Sequence, residues 1–301
     1  MKSAWLIVNP AAGNARLFES RLPAIETMLR AAGYEPRVQY MAASAGSAKN
    51  SAMQAMTTSE LVIACGGDGT VHGVVQGLAK SNVALGVLPL GTANALARNL
   101  GLPMDPLAAL ERLLAFVPTR IPLGVIETAN VRRYFLVMAG CGPDGALAHS
   151  LSVKEKARFG RQAYYTHAAR LFFTRRWPVF EVEYVVDGHR TKARAVGLMA
   201  SRVSDLGGAF SGLTGQASLA SARLQVKLLR APAQISFPAW FGLSRVGLPN
   251  PWLRTVEVDE VHCRPVSSRS VYAQADAEPM GALPITLRVV LDALTLLMPA
   301  V

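Results

Sequence analysis

Three glycine-rich junctions, each standing where an apolar run ends, constrain this chain more than any other feature. They are Asn9-Pro10-Ala11-Ala12-Gly13, Gly66-Gly67-Asp68-Gly69-Thr70 and Leu90-Gly91-Thr92-Ala93-Asn94. The runs before them, residues 5–8, 61–65 and 83–88, are short and apolar and read as buried strands. Between and after them come helical patterns. Leu17, Leu22, Ile25, Met28 and Leu29 recur at helical spacing, with Gly33 placed to end that helix. Residues 37–41 read as a strand, and 47–57, 70–80, 93–100 and 106–115 as helices. This alternation predicts a doubly wound parallel α/β domain over residues 1–125.

In such a sheet, ligands bind beyond the carboxyl ends of the strands, where glycines let backbone N–H groups approach phosphate oxygens. The three junctions together predict one phosphate-binding crevice. Gly66, Gly67 and Gly69 are expected to take positive φ, and Thr70 to open the next helix at its anion-favouring end. Asp68 needs a separate reason, because a carboxylate beside phosphates is repulsive unless it meets a cation or takes a proton. It is expected to orient Mg2+ or the acceptor hydroxyl.

From about residue 119 the pattern changes to short β-type runs: 135–139, 180–186, 195–200, 224–229, 255–261 and 270–274, with Asp187-Gly188 as a hairpin turn. Residues 126–301 are expected to form a β-sandwich domain, with a return of the final segment to the first domain left open. The one clear helix expected in this half spans residues 162–173.

Composition narrows the function classes. At 301 residues and 51% hydrophobic, with a mean hydropathy of +0.26, the chain can bury a core in each of two domains and is not disordered. In the first third, the longest stretch without Asp, Glu, Lys or Arg, residues 81–97, is broken by glycines, Pro89 and Asn94, so no transmembrane helix is expected. The N-terminal apolar run is shorter than a signal h-region, which favours a cytoplasmic protein. Cys65, Cys141 and Cys263 are far apart, with no CxxC and no His at ligand spacing, so neither a disulfide framework nor a zinc site is expected.

The net charge of +11 is uneven: +2 over residues 1–130 and +9 over 131–301. The densest run, 154–176, holds Lys154, Lys156, Arg158, Arg161, Arg170, Arg175 and Arg176 against Glu155 alone. A polyanionic surface, lipid or nucleic acid, would suit it; a solvated helix face in a basic protein is the plainer reading. No RNA-binding signature or DNA-reading motif accompanies it, which favours an anionic membrane surface over nucleic acid.

Two nucleotide fingerprints can be weighed. The Walker A pattern is absent. Gly140, Gly142 and Gly145 spell GxGxxG, but Pro143 within it, the β-rich sequence after it and the lack of an acidic residue near twenty positions downstream argue against a Rossmann site. Gly142 and Asp144 are instead expected to line the cleft between the domains.

The NP-x-x-G start, the GGDGT loop, and LGTAN followed by Ala97-Arg98-Asn99-Leu100-Gly101-Leu102-Pro103 resemble the diacylglycerol kinase catalytic-domain family, especially its bacterial soluble lipid kinases, relatives of the sphingosine and ceramide kinases. GGDGT alone is shared with NAD kinases; the combination belongs to the lipid kinases. The resemblance implies an N-terminal α/β nucleotide domain, a C-terminal β-sandwich, ATP with Mg2+, and transfer of phosphate to a lipid hydroxyl. It implies ATP phosphates over Gly66, Gly67, Asp68, Gly69, Thr70, Val71 and His72, and nucleotide or crevice roles for Asn9, Gly91, Thr92 and Asn94. The family's Asp-Gly-Glu motif matches Asp276-Ala277-Glu278, making Glu278 the leading general base. Whether Glu278 or Asp68 takes the proton stays open.

Departures from the family pattern are Ala277 for its glycine, Gly73 for the acidic residue usual after GGDGT, and Gln76 for an asparagine. Where the bacterial kinases carry an Asp-Asp-Gly-Leu turn linked to a structural Mg2+, this chain reads Ser221-Ala222-Arg223-Leu224; without a carboxylate that site is expected to be lost. Phe237, Trp240, Phe241, Leu243, Leu248, Trp252 and Leu253, with Arg245 and Arg254 among them, suit either sandwich core, the favoured reading, or a membrane-docking edge. The expected function is an ATP- and Mg2+-dependent lipid kinase, diacylglycerol-like in its acceptor, peripheral on membranes and compatible with a homodimer. The alternative is a non-catalytic, nucleotide-responsive lipid- or partner-binding protein.

Overall fold

The computed structural model describes residues 1–150, 177–207, 214–230, 243 and 250–300, which form two compact units. The basic run, the helix expected at 162–173 and most of the aromatic segment lie outside the described residues.

The first unit comprises Met1–Leu123 with Leu291–Val301. Strands β1 (Lys2–Val8), β2 (Tyr34–Tyr40), β3 (Leu61–Gly66) and β4 (Ala84–Pro89) run parallel in the order β2-β1-β3-β4. Every residue of β3 and β4 is buried, which is why they read as unbroken apolar runs rather than alternating ones. The helices are α1 (Ala15–Ala31), α2 (Ser47–Met56), α3 (Asp68–Leu78), α4 (Ala95–Asn99) and α5 (Pro106–Leu114).

Local chemistry sets the ends of these helices. Gly33, at φ +85°, follows α1 and donates its N–H to the Arg30 carbonyl, as a left-handed cap does. The Asp105 carboxylate accepts the N–H groups of Leu107 and Ala108 at 3.0 Å, and Pro106 opens α5. Helices α2 and α3 approach closely through small residues. A Cβ at Gly73 would lie 2.6 Å from Ala48 Cβ, and one at Gly77 would lie 2.7 Å from Ala52 Cβ. A side chain at Gly73 would press on Ala48 and part the two helices.

The long strand β16 (Ile285–Met298) crosses the boundary between the units. Its residues 291–298 complete the first unit by running parallel to β4, Thr295 opposite Ala84 and Leu296 opposite Leu85. Arg120, on β5 (Val117–Glu127), fastens that segment. Its guanidinium donates to the carbonyls of Asp292 and Ser81 and to Thr295 Oγ1.

The second unit, Gly124–Val290, is a sandwich. One layer is antiparallel, in the order β12 (Leu253–Val258), β11 (Leu224–Leu229), β10 (Gly197–Ser201), β7 (Met138–Cys141), β14 (Tyr272–Ala275), β15 (Glu278–Ala282). The other contains residues 285–288 of β16, then β13 (Glu260–Pro265), β8 (Phe180–Val186) and β9 (His189–Ala195). Residues 124–127 of β5 pair with β6 (Arg132–Phe135). Ala139, Leu198, Val226 and Ala273 from the first layer meet Phe180, Val182, Tyr184, Val261 and Leu287 from the second in one buried core. The Asp187-Gly188 hairpin forms as expected, with both residues at positive φ.

Several expected elements differ. The run 135–139 is two strands, β6 and β7, parted at Leu136 and Val137, whose N–H groups turn to the Asp276 carboxylate. The run 255–261 is also two strands, β12 and β13, parted at Asp259, which donates its N–H to the Val185 carbonyl. Residues 143–150 form a further helix, α6 (Pro143–Ser150). Trp252 is partly buried against Val196 and Leu229, on the core side of the two readings.

Candidate functional site

Strand β3 delivers the chain into the 66–70 loop, and β4 delivers it into the 91–95 loop beside it. Leu90 donates its N–H to the Gly66 carbonyl at 2.9 Å, and Asn14 donates to the Leu90 carbonyl at 3.0 Å, so all three glycine-rich junctions are bound together. The expectation of positive φ fails here: Gly66, Gly67 and Gly69 all have ordinary backbone angles. The need for glycine is steric instead. A Cβ on Gly66 would lie 2.3 Å from Thr70 Oγ1, and one on Gly91 would lie 2.5 Å from Gly67 Cα. Two backbone loops touch where any side chain would part them.

Gly67 caps α3 in an extended conformation, and its carbonyl accepts the N–H groups of Thr70 and Val71 at 3.0 and 3.1 Å. Asn9 donates through Nδ2 to Thr70 Oγ1 at 3.1 Å and accepts the Ala11 N–H through Oδ1 at 3.0 Å. It shapes the crevice by tying the first junction to the second. Val71 and His72 are buried in α3, so what this loop offers a ligand is backbone, the exposed Gly69 and the partly exposed Asp68. The N-terminal end of α3, eleven residues long, favours an anion there.

Asp68 has a partner that sequence reasoning did not identify. Its Oδ1 accepts the N–H of Ala95, the first residue of α4, at 2.7 Å. The carboxylate thereby holds the 91–95 loop against the 66–70 loop. Asn94 serves the same loop from within: at φ 49° it accepts the Gly91 N–H at 2.9 Å and returns a bond to the Gly91 carbonyl at 2.8 Å. Asn94 is buried, while Thr92 and Ala93 at the loop's tip are exposed. The junction is thus a braced pair of glycine-rich loops with an exposed rim, and loops of this kind can offer backbone N–H groups to phosphate oxygens.

In the second unit, Asp276 and Ala277 form the two-residue turn between β14 and β15. Both have positive φ, 47° and 66°, as in a type I′ turn, where Ala277 is strained and glycine would not be. The turn survives because Asp276 anchors it. Its carboxylate accepts three backbone N–H groups, from Leu136, Val137 and Met138, at 2.9, 3.0 and 2.9 Å. Gln274 adds a brace by accepting the Ala277 N–H at 2.8 Å. Glu278 follows, partly buried, as the first residue of β15.

Gln274 also donates to Asp144 Oδ2 at 3.1 Å, and the Gly145 N–H donates to Asp144 Oδ1 at 2.8 Å. Burial pushes the Asp144 carboxyl up to about 6, although those two hydrogen bonds pull the other way. The GxGxxG glycines make room for this arrangement. A Cβ on Gly140 would lie 2.4 Å from Asp144 Oδ2, one on Gly142 2.4 Å from the Val196 carbonyl oxygen, and one on Gly145 2.0 Å from that of Tyr272. The protein's own backbone fills the space a dinucleotide would need.

The turn at residues 219–223 holds no carboxylate, and the Arg202 guanidinium donates to its carbonyls. These residues do not fit the structural Mg2+ that the family resemblance implied. Among the described residues, no group of three or more His, Cys, Asp or Glu is placed to hold a metal ion.

Comparisons with known proteins bear on the family and the fold. A family model of the diacylglycerol kinase catalytic domain matches residues 3–126. A diacylglycerol kinase of Bacillus subtilis (strain 168) is 32% identical over 234 residues, covering 76% of this chain and 74% of the relative. One from Staphylococcus saprophyticus is 32% identical over 167 residues, 54% of this chain and 53% of that protein. A solved structure of a diacylglycerol kinase from Bacillus anthracis covers 99% of this chain and 97% of its own, with a TM-score of 0.76 at 21% identity, a likeness of fold. The match to the Bacillus subtilis enzyme runs over three quarters of both proteins, and the motifs that build the braced loops fall within residues 3–126; the chain belongs to the diacylglycerol kinase catalytic-domain family.

Proposed function

We propose that this protein is an ATP-dependent lipid kinase that transfers the γ-phosphate of Mg2+-bound ATP to the hydroxyl of a diacylglycerol-like lipid. The observation that carries the reading is the pair of loops at 66–70 and 91–95, locked by the Asp68 to Ala95 bond and by the Gly67 and Gly91 contact, within the region the family model matches.

The β- and γ-phosphates would rest on the backbone N–H groups that open α3, with Thr92 at the exposed rim meeting the rest of the nucleotide. Mg2+ accompanying the nucleotide would supply charge neutralisation on the transferred group. A hydroxyl becomes a competent nucleophile only as its proton leaves, and Glu278 is the proposed acceptor, carried on a turn that Asp276 and Gln274 hold in place. Asp68 braces the phosphate loops through Oδ1, and its carboxylate is the group proposed to orient the metal or the acceptor hydroxyl. The basic excess of residues 131–301 would bring the chain to anionic lipid, where a diacylglycerol-like acceptor resides.

Transfer of labelled γ-phosphate in mixed micelles tests this. Diacylglycerol, monoacylglycerol, sphingosine, ceramide and phosphatidylglycerol serve as acceptors, with NAD as the soluble control. Label in one lipid, lost on Glu278→Ala, is the expected result. Label in NAD alone would remove the lipid-kinase reading. ATP binding with no transfer to any acceptor would favour the non-catalytic alternative.

A further inference from the structure

Residues 219–223 form a tight turn in which backbone oxygens converge on a charge the protein itself supplies. The Arg202 guanidinium donates to the carbonyls of Leu219 and Ser221 at 2.7 Å each and of Arg223 at 3.1 Å. Arg202 is fully buried, and its own backbone N–H donates to the Val137 carbonyl at 2.9 Å, so the cation is fixed at both ends of its residue. Ser221 closes the turn by accepting the Arg223 N–H and donating to the Arg223 carbonyl, each at 3.1 Å. From outside, the Arg223 guanidinium reaches Asp187 and Asp259, in the turns between β8 and β9 and between β12 and β13.

Three carbonyl oxygens on one point form a hard-oxygen cluster of the sort that attracts a cation. A planar guanidinium with five N–H donors can satisfy several of them at once, which no neutral side chain could. Burial lowers the Arg202 guanidinium to about 10, so it stays charged at neutral pH. A divalent ion entering the same carbonyls would meet that charge and no turn carboxylate to offset it.

We infer that Arg202 is a tethered cation that permanently fills the 219–223 turn, so that this turn takes no metal ion and needs none to fold. For catalysis, a corollary that rests on the kinase reading, Mg2+ enters only with the nucleotide.

The first arm of the test is thermal unfolding without nucleotide. The wild-type protein is expected to melt at the same temperature in EDTA and in excess Mg2+. Arg202→Met is expected to lower Tm by roughly 5–15 °C, with no recovery in Mg2+, because three carbonyls lose the guanidinium and that of Arg223 is left with the Ser221 hydroxyl. Should Arg202→Met fail to fold, Arg202→Lys keeps the charge without the planar fork and is expected to melt between the two, again indifferent to Mg2+. A wild-type Tm that falls in EDTA and returns with Mg2+ would overturn the inference, as would an Arg202→Met or Arg202→Lys protein that melts like the wild type. An anomalous Mn2+ peak at the 219–223 carbonyls in soaked crystals would overturn it too.

The second arm measures phosphate transfer at constant Mg2+-bound ATP while free Mg2+ is varied. A flat response is expected, and a steep rise with free Mg2+ would contradict the corollary. Failure of the kinase reading would show as no transfer at any Mg2+ level, and the melting arm would still decide the tethered-cation claim.

Discussion

The strand-to-helix junctions at 66–70 and 140–145 are built to one recipe: an apolar strand, closely spaced glycines, an aspartate among them, and the start of a helix. They differ in what the glycines make room for. At 66–70 the glycines let two loops touch, Asp68 bonds across to Ala95, and Gly69 and Thr92 remain exposed on the rim. At 140–145 each glycine faces backbone of the same unit, or the Asp144 carboxylate, and all three are buried. A glycine motif is therefore a statement about close approach, and the identity of the approaching atoms decides between binding and packing. The first junction keeps an exposed rim; the second has its space filled by β10, β14 and Gln274.

Substitutions can break this contrast from either side. The largest effect is expected at Asp68, where Asn can still accept the Ala95 N–H but loses its charge. Asp68→Asn should keep the fold and its Tm while turnover falls on the order of 10²–10⁴-fold, and Asp68→Ala should lose turnover and loop order together. Steady-state kinetics beside melting curves separate the two; an active Asp68→Asn would reduce Asp68 to a brace.

Next comes Gly145→Ala, which should destabilise the second unit by about 2–4 kcal/mol, since backbone at Tyr272 cannot yield cheaply. Denaturant unfolding followed by a probe in that unit would report it, and a neutral result would show the junction looser than its geometry implies.

A smaller effect concerns Asp144, whose folded-state carboxyl titrates near 6 against an ordinary value near 4. A raised folded pKa contributes stability that is fully present below the ordinary value and lost as pH climbs through about 6. Wild-type Tm should therefore fall between about pH 4 and 6 through this group, and Asp144→Asn should be the more stable protein at pH 8 but not at pH 4. A pH-independent difference between the two would contradict the assignment.

Smallest is Ala277→Gly, expected to stabilise by about 1 kcal/mol or less, because glycine removes the left-handed strain but adds unfolded-state freedom. A destabilised Ala277→Gly protein would mean that the Ala277 methyl has a packing role.

The parallel unit was legible because β3 and β4 are buried on both faces, and its first helix follows apolar spacing with Gly33 marking its end. The sandwich was harder. Apolar character runs straight through 135–139, and the break at Leu136 and Val137 is imposed by Asp276, about 140 residues later in the chain. Helix α6 is composed largely of small residues, which leave almost no apolar stripe to detect. The motif residues of the candidate site could be picked out from their pattern, but their roles could not. Nothing local tells that Asp68 pairs with Ala95, that Asn94 turns inward to Gly91, or that Arg202 reaches residues 219–223.

The most direct test of the contrast between the two junctions is hydrogen exchange of the wild-type protein with and without Mg2+-bound ATP. Slowed exchange at 66–70 and 91–95, with 140–145 unchanged, is the predicted result. Slowed exchange at 140–145 with none at 66–70 would contradict it and reverse the roles assigned to the two loops.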